Sequence, residues 1–179
     1  MTESLTLRNE TMKKILGVDV GGVIFDQASL PAGDINDDAF FAVPPVTDSI
    51  ESLAALNQGI FKDAIYLVSK YNIETGPEGI RAWLERQNFY DRTGIPREHL
   101  YQCAERREKA PIVRELGITH FVDDRAEVMS YFADFVPNLY HFQSLLEDRE
   151  KWAIKIPNLI FVDNWKDLTA MLHKKENTL

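Results

Sequence analysis

Ile15-Leu16-Gly17-Val18-Asp19-Val20-Gly21-Gly22-Val23-Ile24 is the stretch that decides the fold. Ile15 to Val20 is apolar nearly throughout, as a strand covered on both faces is. A carboxylate interrupts the run at Asp19, and two glycines follow. Glycines there let the backbone turn sharply and come close to a ligand. A plain turn, with Asp19 accepting hydrogen bonds from its own loop, accounts for the same residues. So does the phosphate loop of a sugar-kinase or actin-like ATPase, but that architecture needs two similar halves and far more chain.

Working outward, short apolar runs alternate with segments of helical period. Ala64–Val68, Leu100–Cys103, Ile118–Val122, Asn138–Phe142 and Leu159–Val162 read as further strands. Between them, helices are predicted from Thr47 or Asp48 to Gln58 with Gly59 as the stop, and from Pro77 to Gln87. Others run from Glu105 to Leu116, from Arg125 to Phe135, and from Asn164 to about His173. Strand followed by helix, repeated, implies right-handed crossovers and a parallel sheet covered on both sides. The fold class is therefore α/β: a Rossmann-like three-layer sandwich with a mostly parallel central sheet. Residues 1–12 read as a flexible lead-in, residues 13–175 as a single domain, and the tail from Lys174 as loosely ordered.

The bulk numbers restrict function. The 179 residues fit one domain, and 45% of them are hydrophobic, enough for a sizeable core. No run reaches the ~18 apolar residues of a membrane helix, and the first ten residues lack the apolar core of a secretory signal. A formal net charge of -8 and a pI of about 5.0 argue against nucleic acid or anionic lipid as a bulk partner. One cysteine, Cys103, excludes an intrachain disulfide framework and a cysteine-based zinc cluster. A cytoplasmic location is expected. His99, His120, His141 and His173 are scattered and read as packing or surface residues.

In parallel sheets, ligands bind beyond the carboxyl ends of the strands. The polar residues of this chain fall there. Asp19 closes the first strand, Ser69-Lys70 the second, and Asp123-Asp124 the fourth. A serine hydroxyl there suits a phosphate oxygen, although serine also caps turns. Two adjacent carboxylates, with Glu127 one helical turn later, suit Mg²⁺, although one of them could cap a helix. Lys109 lies in the charged run Glu105-Arg106-Arg107-Glu108-Lys109, where a solvated lysine is the ordinary reading.

Strand–Asp19, strand–Ser69, Lys109 and strand–Asp123-Asp124, in that order, resemble the four-motif signature of the haloacid-dehalogenase-like (HAD-like) hydrolases. The resemblance spans residues 15 to about 128. It implies that Asp19 is a nucleophile that takes a phosphoryl group as an aspartyl-phosphate. It implies that Ser69 hydrogen-bonds the phosphoryl oxygens and that Lys109 disperses charge between Asp19 and the phosphate. It also implies a Mg²⁺ cofactor held by Asp19, the main-chain carbonyl of Gly21, and Asp123 with Asp124.

One position departs from the family pattern. Two residues after the nucleophile, family phosphatases usually carry a second Asp, which protonates the leaving group and then activates water. This chain has Gly21 there. General acid/base help is typically worth ~10²–10⁴-fold, so alkyl phosphates should react poorly and an aspartyl-phosphate should break down slowly. Asp26 is the nearest acidic substitute, with a surface turn as its other reading. Dehalogenating and phosphonate-cleaving relatives also lack that Asp. The former need no metal, against which Asp123-Asp124 weighs, and the latter need a lysine from a sizeable cap. Residues 26–63 offer one helix and a Pro/Gly/Asp-rich loop, and no large cap domain is expected. Phe40, Phe41, Tyr71, Phe89 and Tyr90 either line the opening or pack in the core.

The expected function is that of a Mg²⁺-dependent phosphohydrolase acting on a phosphorylated small molecule or phosphoprotein. The alternative is a catalytically silent HAD-like protein that binds phosphate or a protein partner.

Overall fold

The computed structural model describes residues 13–32, 37–72 and 76–176. The expected lead-in, residues 1–12, lies outside them. Strands β1 (Leu16–Val18), β2 (Ile65–Lys70), β3 (Leu100–Cys103), β4 (His120–Asp123), β5 (Asn138–Phe142) and β6 (Leu159–Val162) form one sheet. Every pairing is parallel, and the order is β3-β2-β1-β4-β5-β6. β1 therefore has β2 on one side and β4 on the other, and the chain reverses its direction of travel across the sheet at β1. Crevices in doubly wound sheets open beyond the strand ends at such a reversal.

Alternation along each strand divides the core in two. Leu16, Val18, Ile65, Leu67, Val122, Tyr140 and Phe142 face one layer. It is closed by α2 (Ser49–Gln58), α3 (Glu78–Arg86), α4 (Phe89–Thr93) and α8 (Trp165–Glu176). Val68, Phe121 and Leu139 face the other, under α5 (Lys109–Glu115), α6 (Ala126–Ser130) and α7 (Leu146–Lys155). Two buried indoles tie connecting segments to the first layer. Trp165 donates to Val23 O at 2.8 Å, which fixes the loop after β1, and Trp83 donates to Val43 O at 2.9 Å.

All six strands expected from the sequence are present, with shifted ends. β2 runs two residues further than its apolar core, so Ser69 and Lys70 pair with Gln102 and Cys103 inside the sheet. The helix read over Glu105–Leu116 begins as a 3-10 turn over Arg106–Glu108 and becomes α-helical at Lys109. The helix read over Arg125–Phe135 stops at Ser130 and gives way to turns. Neither candidate cap of α2 holds its first turn by a side chain. Asp48 flanks the helix at φ 62° and pairs instead with Lys166 at 3.3 Å.

Three helices were not anticipated. α1 (Asp37–Phe41) lies in the Pro/Gly/Asp-rich segment, where Phe40 packs on Phe25 at 5.0 Å between ring centroids. α4 restarts directly after α3, because Asn88 turns the chain at φ 51°. α7 buries none of its residues and leaves Leu146 and Ile154 exposed, so it has no apolar stripe to read. α8 continues to Glu176, past the point where a loose tail was expected. No helix of the described residues is long and apolar enough to cross a membrane.

Candidate active site

Asp19 follows β1 and Asp123 ends β4, so the two carboxylates meet across the strand pair at which the sheet reverses. Asp19 N donates to Val122 O at 2.9 Å, which continues the β1–β4 ladder past Val18. Lys109 reaches the same point from the first residue of α5. Glu108 sets that helix start, since its Oε2 accepts from the N–H groups of Ala104 and Glu105 at 3.0 and 2.9 Å. The Lys109 ammonium then lies 2.9 Å from Asp19 Oδ1 and 2.9 Å from Asp123 Oδ2. All three are buried: 8% of Asp19, 2% of Lys109 and none of Asp123 is exposed. The ordinary reading of Lys109 as a solvated lysine does not hold.

The hydrogen bonds assign each oxygen. Asp123 uses Oδ2 for Lys109 and Oδ1 for the N–H of Arg125, at 2.9 Å each. Asp19 Oδ1 accepts from Val20 N at 2.8 Å and from Lys109. Its Oδ2 accepts no hydrogen bond among the described residues, and Asp19 lines the cleft above the strand ends. One oxygen is thus held and the other is presented. Asp124 stands alongside, with Oδ1 buried and without a hydrogen-bond partner, 4.0 Å from the Arg125 guanidinium. His141, opposite Asp123 on β5, lies with Nε2 3.0 Å from Asp124 O and steadies that main chain.

Charge is unbalanced here. Burial pushes the Asp19 carboxyl up to about 6, against the pull of Lys109. Burial, and then the charge of Asp19, pushes Asp124 up to about 6 as well. Asp123 is also raised by burial. Burial alone would lower the Lys109 ammonium, but Asp123 and Asp19 outweigh it and hold the group above the usual lysine range. Asp19 and Asp123 share one ammonium, Asp124 has only the distant Arg125, and one oxygen from each carboxylate lies within 4.8 Å of the others. An all-oxygen donor set with net negative charge and a buried oxygen that accepts no hydrogen bond fits a hard divalent cation such as Mg²⁺.

A cleft of about 330 Å³ opens above Asp19 and Lys109. Gly21 and Gln27 form one part of its wall, and Lys70, Tyr71 and Asn72 another. Arg106, Arg125 and Val128 complete it. Gly21 has an ordinary φ, and a Cβ there would meet only Gln27 Oε1, at 3.6 Å. Gly22 differs. It sits at φ +75°, and its Cβ would fall 2.4 Å from Asp124 Oδ2. The second glycine therefore makes room for one of the chain's own carboxylates.

Of the residues singled out from the sequence, Asp19, Lys109, Asp123 and Asp124 converge, and Gly21 lines the cleft beside them. Ser69 stands at the end of β2, buried, but does not line the cleft. Its hydroxyl makes a long 3.4 Å contact with Lys70 O, and the next side chain, that of Lys70, faces the opening. Asp26 accepts from Ser29 Oγ at 2.6 Å in a surface turn, and Glu127 accepts from Tyr131 on an exposed face. Neither joins the site. Among the aromatics, Tyr71 lines the opening, whereas Phe89 and Tyr90 are buried and Phe40 and Phe41 pack on the core. The sequence reading assigned no role in the cleft to Gln27, Lys70, Arg106 or Arg125. Strand-end position could have flagged Lys70, but Arg106 is indistinguishable from its charged neighbours without the fold.

No family model matches the chain, and no curated protein matches it in sequence. A solved structure does match. The D,D-heptose 1,7-bisphosphate phosphatase from Burkholderia thailandensis superposes with a TM-score of 0.56 over 88% of this chain and 97% of its own, at 14% identity. The chain has the fold of that phosphatase.

Proposed function

We propose that the protein is a HAD-like phosphohydrolase whose nucleophile is Asp19 and whose metal is Mg²⁺. The observation that carries this reading is the asymmetry of Asp19. Lys109 and Val20 hold Oδ1, while Oδ2 is left for a phosphorus atom in the cleft. The fold shared with a phosphatase supports the same class of chemistry.

The chain's residues divide the work. Asp19 Oδ2 attacks phosphorus, the bond to the leaving oxygen breaks, and Asp19 carries the phosphoryl group until water displaces it. Lys109 keeps Asp19 ionised and stabilises the charge that gathers on the phosphoryl oxygens. Asp123 orients Lys109 and, with Asp19, Asp124 and the carbonyl of Gly21, would hold the metal. Mg²⁺ bound there would neutralise phosphoryl charge.

Gly21 brings no acid to the leaving group, and among the described residues no other carboxylic acid lines the cleft beside Asp19. The substrates that suit such a site are acyl and aryl phosphates, whose leaving groups depart without a proton. Phosphate release from acetyl phosphate and 4-nitrophenyl phosphate, with and without Mg²⁺, tests the proposal. Release that needs Mg²⁺ and disappears in Asp19→Asn is expected. Release that survives Asp19→Asn would put the chemistry elsewhere. Silence of the folded protein on both compounds would favour a phosphate-binding protein without turnover.

A further inference from the structure

The cleft walls carry a charge opposite to that of the chain. The whole protein has a formal charge of -8, yet among the described residues Lys70, Arg106, Lys109 and Arg125 face the cleft against the single carboxylate of Asp19. Lys109 is neutralised by Asp19 and Asp123. Of the other three, Lys70 and Arg106 have no carboxylate partner among the described residues, and Arg125 has only a distant one. Arg106 makes no hydrogen bond or ion pair among the described residues. Lys70 reaches only a main-chain carbonyl, that of Tyr71, at 3.2 Å. Arg125 is 4.0 Å from Asp124, and its side chain is 45% exposed.

Elsewhere the described arginines have partners. Arg107, next to Arg106 but outside the cleft, pairs with Glu105 at 2.7 Å, and Arg92 and Arg97 pair with Glu51 and Glu85 at 2.7 Å each. Acidic groups are in excess in this chain, so three weakly engaged cations around one opening point to a ligand that supplies the missing charge. A single phosphate over Asp19 already has Lys109 beneath it and a divalent-cation site beside it. Three further cations exceed what that one group needs.

We propose that the cleft takes a phosphate ester bearing a second anionic group, a carboxylate or another phosphate, and that Lys70, Arg106 and Arg125 hold that second group. The cleft volume of about 330 Å³ suits a small compound with two anionic ends. The proposal rests on reading Asp19 and Lys109 as the seat of the first phosphate.

Three probes share a three-carbon skeleton and differ in the second group: glycerol 3-phosphate has none, 3-phosphoglycerate a carboxylate, and 2,3-bisphosphoglycerate a carboxylate and a phosphate. Titration calorimetry of the intact protein, with Mg²⁺ in excess, gives their affinities. Both anionic probes are expected to bind at least about tenfold more tightly than glycerol 3-phosphate. The advantage should shrink in high salt and fall below about threefold in an Arg106→Gln/Arg125→Gln double variant. The difference between the two anionic probes shows which second group the rim prefers. Equal affinity for all three, an advantage unchanged in the double variant, or no binding of any probe would overturn the proposal. Phosphate release from the same samples separates it from the phosphatase reading. A preference without release in any arm, acetyl phosphate included, removes the phosphatase and keeps the second-anion site. Release without a preference does the reverse.

Discussion

Oδ2 of Asp124 occupies the place where a side chain on Gly22 would begin, 2.4 Å from the position of its Cβ. The turn after β1 and the end of β4 therefore interlock at a residue with no side chain. Their contact sets where the third carboxylate of the site can stand.

Gly22→Ala should displace Asp124. The added methyl also meets a backbone at φ +75°, which costs about 1–2 kcal/mol for an L residue. The protein should fold with slightly reduced stability and bind Mg²⁺ at least about tenfold more weakly by titration calorimetry. Unchanged affinity would mean that Asp124 is not a ligand.

Gly21→Asp should have the opposite character. The position has an ordinary φ, and its Cβ would meet only Gln27 Oε1, at 3.6 Å. The new carboxyl can sit beside the leaving group. Turnover of alkyl phosphates should rise by roughly 10²-fold or more in steady-state assays, within the range general acid/base catalysis commonly supplies. No gain would show that the missing acid is not what limits these substrates.

Lys109→Met would leave Asp19 and Asp123 buried without their shared cation. Removing one partner of a buried pair typically costs about 3–5 kcal/mol, which urea unfolding without metal should register. Saturating Mg²⁺ should recover part of that loss, because it returns positive charge to the same oxygens. Wild-type stability in the metal-free variant would mean that the lysine does not bind these carboxylates together.

Cys103 ends β3, buried, with its Sγ 3.7 Å from Ser69 O. Burial pushes its thiol up to about 11. The folded chain thus holds the proton that an unfolded chain releases near pH 8.5, and this contribution to stability is lost as pH rises from there through about 11. At pH 8 iodoacetamide should alkylate the native protein about 10²-fold more slowly than the urea-unfolded protein. Comparable rates would place the thiol at the surface.

The sequence made the site legible wherever a polar residue interrupts an apolar run. Asp19 and Asp123 needed only strand-end position and a parallel sheet to be brought together. Lys109 was recognisable through its order among the other motifs, since its own neighbours are all charged and say nothing about burial. Lys70 was not singled out because β2 outlasts its apolar core, and one further residue of strand after Ser69 turns Lys70 toward the cleft. Gly17 gave no signal at all, although a Cβ there would lie 2.4 Å from the Phe121 ring on the neighbouring strand. The rim cations were illegible for a related reason. Arg106 and Arg107 are equivalent in sequence, and only the 3-10 turn before α5 sends one to the cleft and the other to Glu105.

The most direct test is to trap the phosphoryl group on Asp19. With Gly21 in place of an acid/base residue, formation from a good donor should outrun hydrolysis, and the intermediate should accumulate. The protein would be mixed with acetyl phosphate and Mg²⁺, quenched in acid, and weighed intact by mass spectrometry. A gain of one phosphoryl mass, labile to hydroxylamine, mapped to Asp19 and absent in Asp19→Asn, is expected. No adduct on the wild-type protein, together with no released phosphate, would contradict the account.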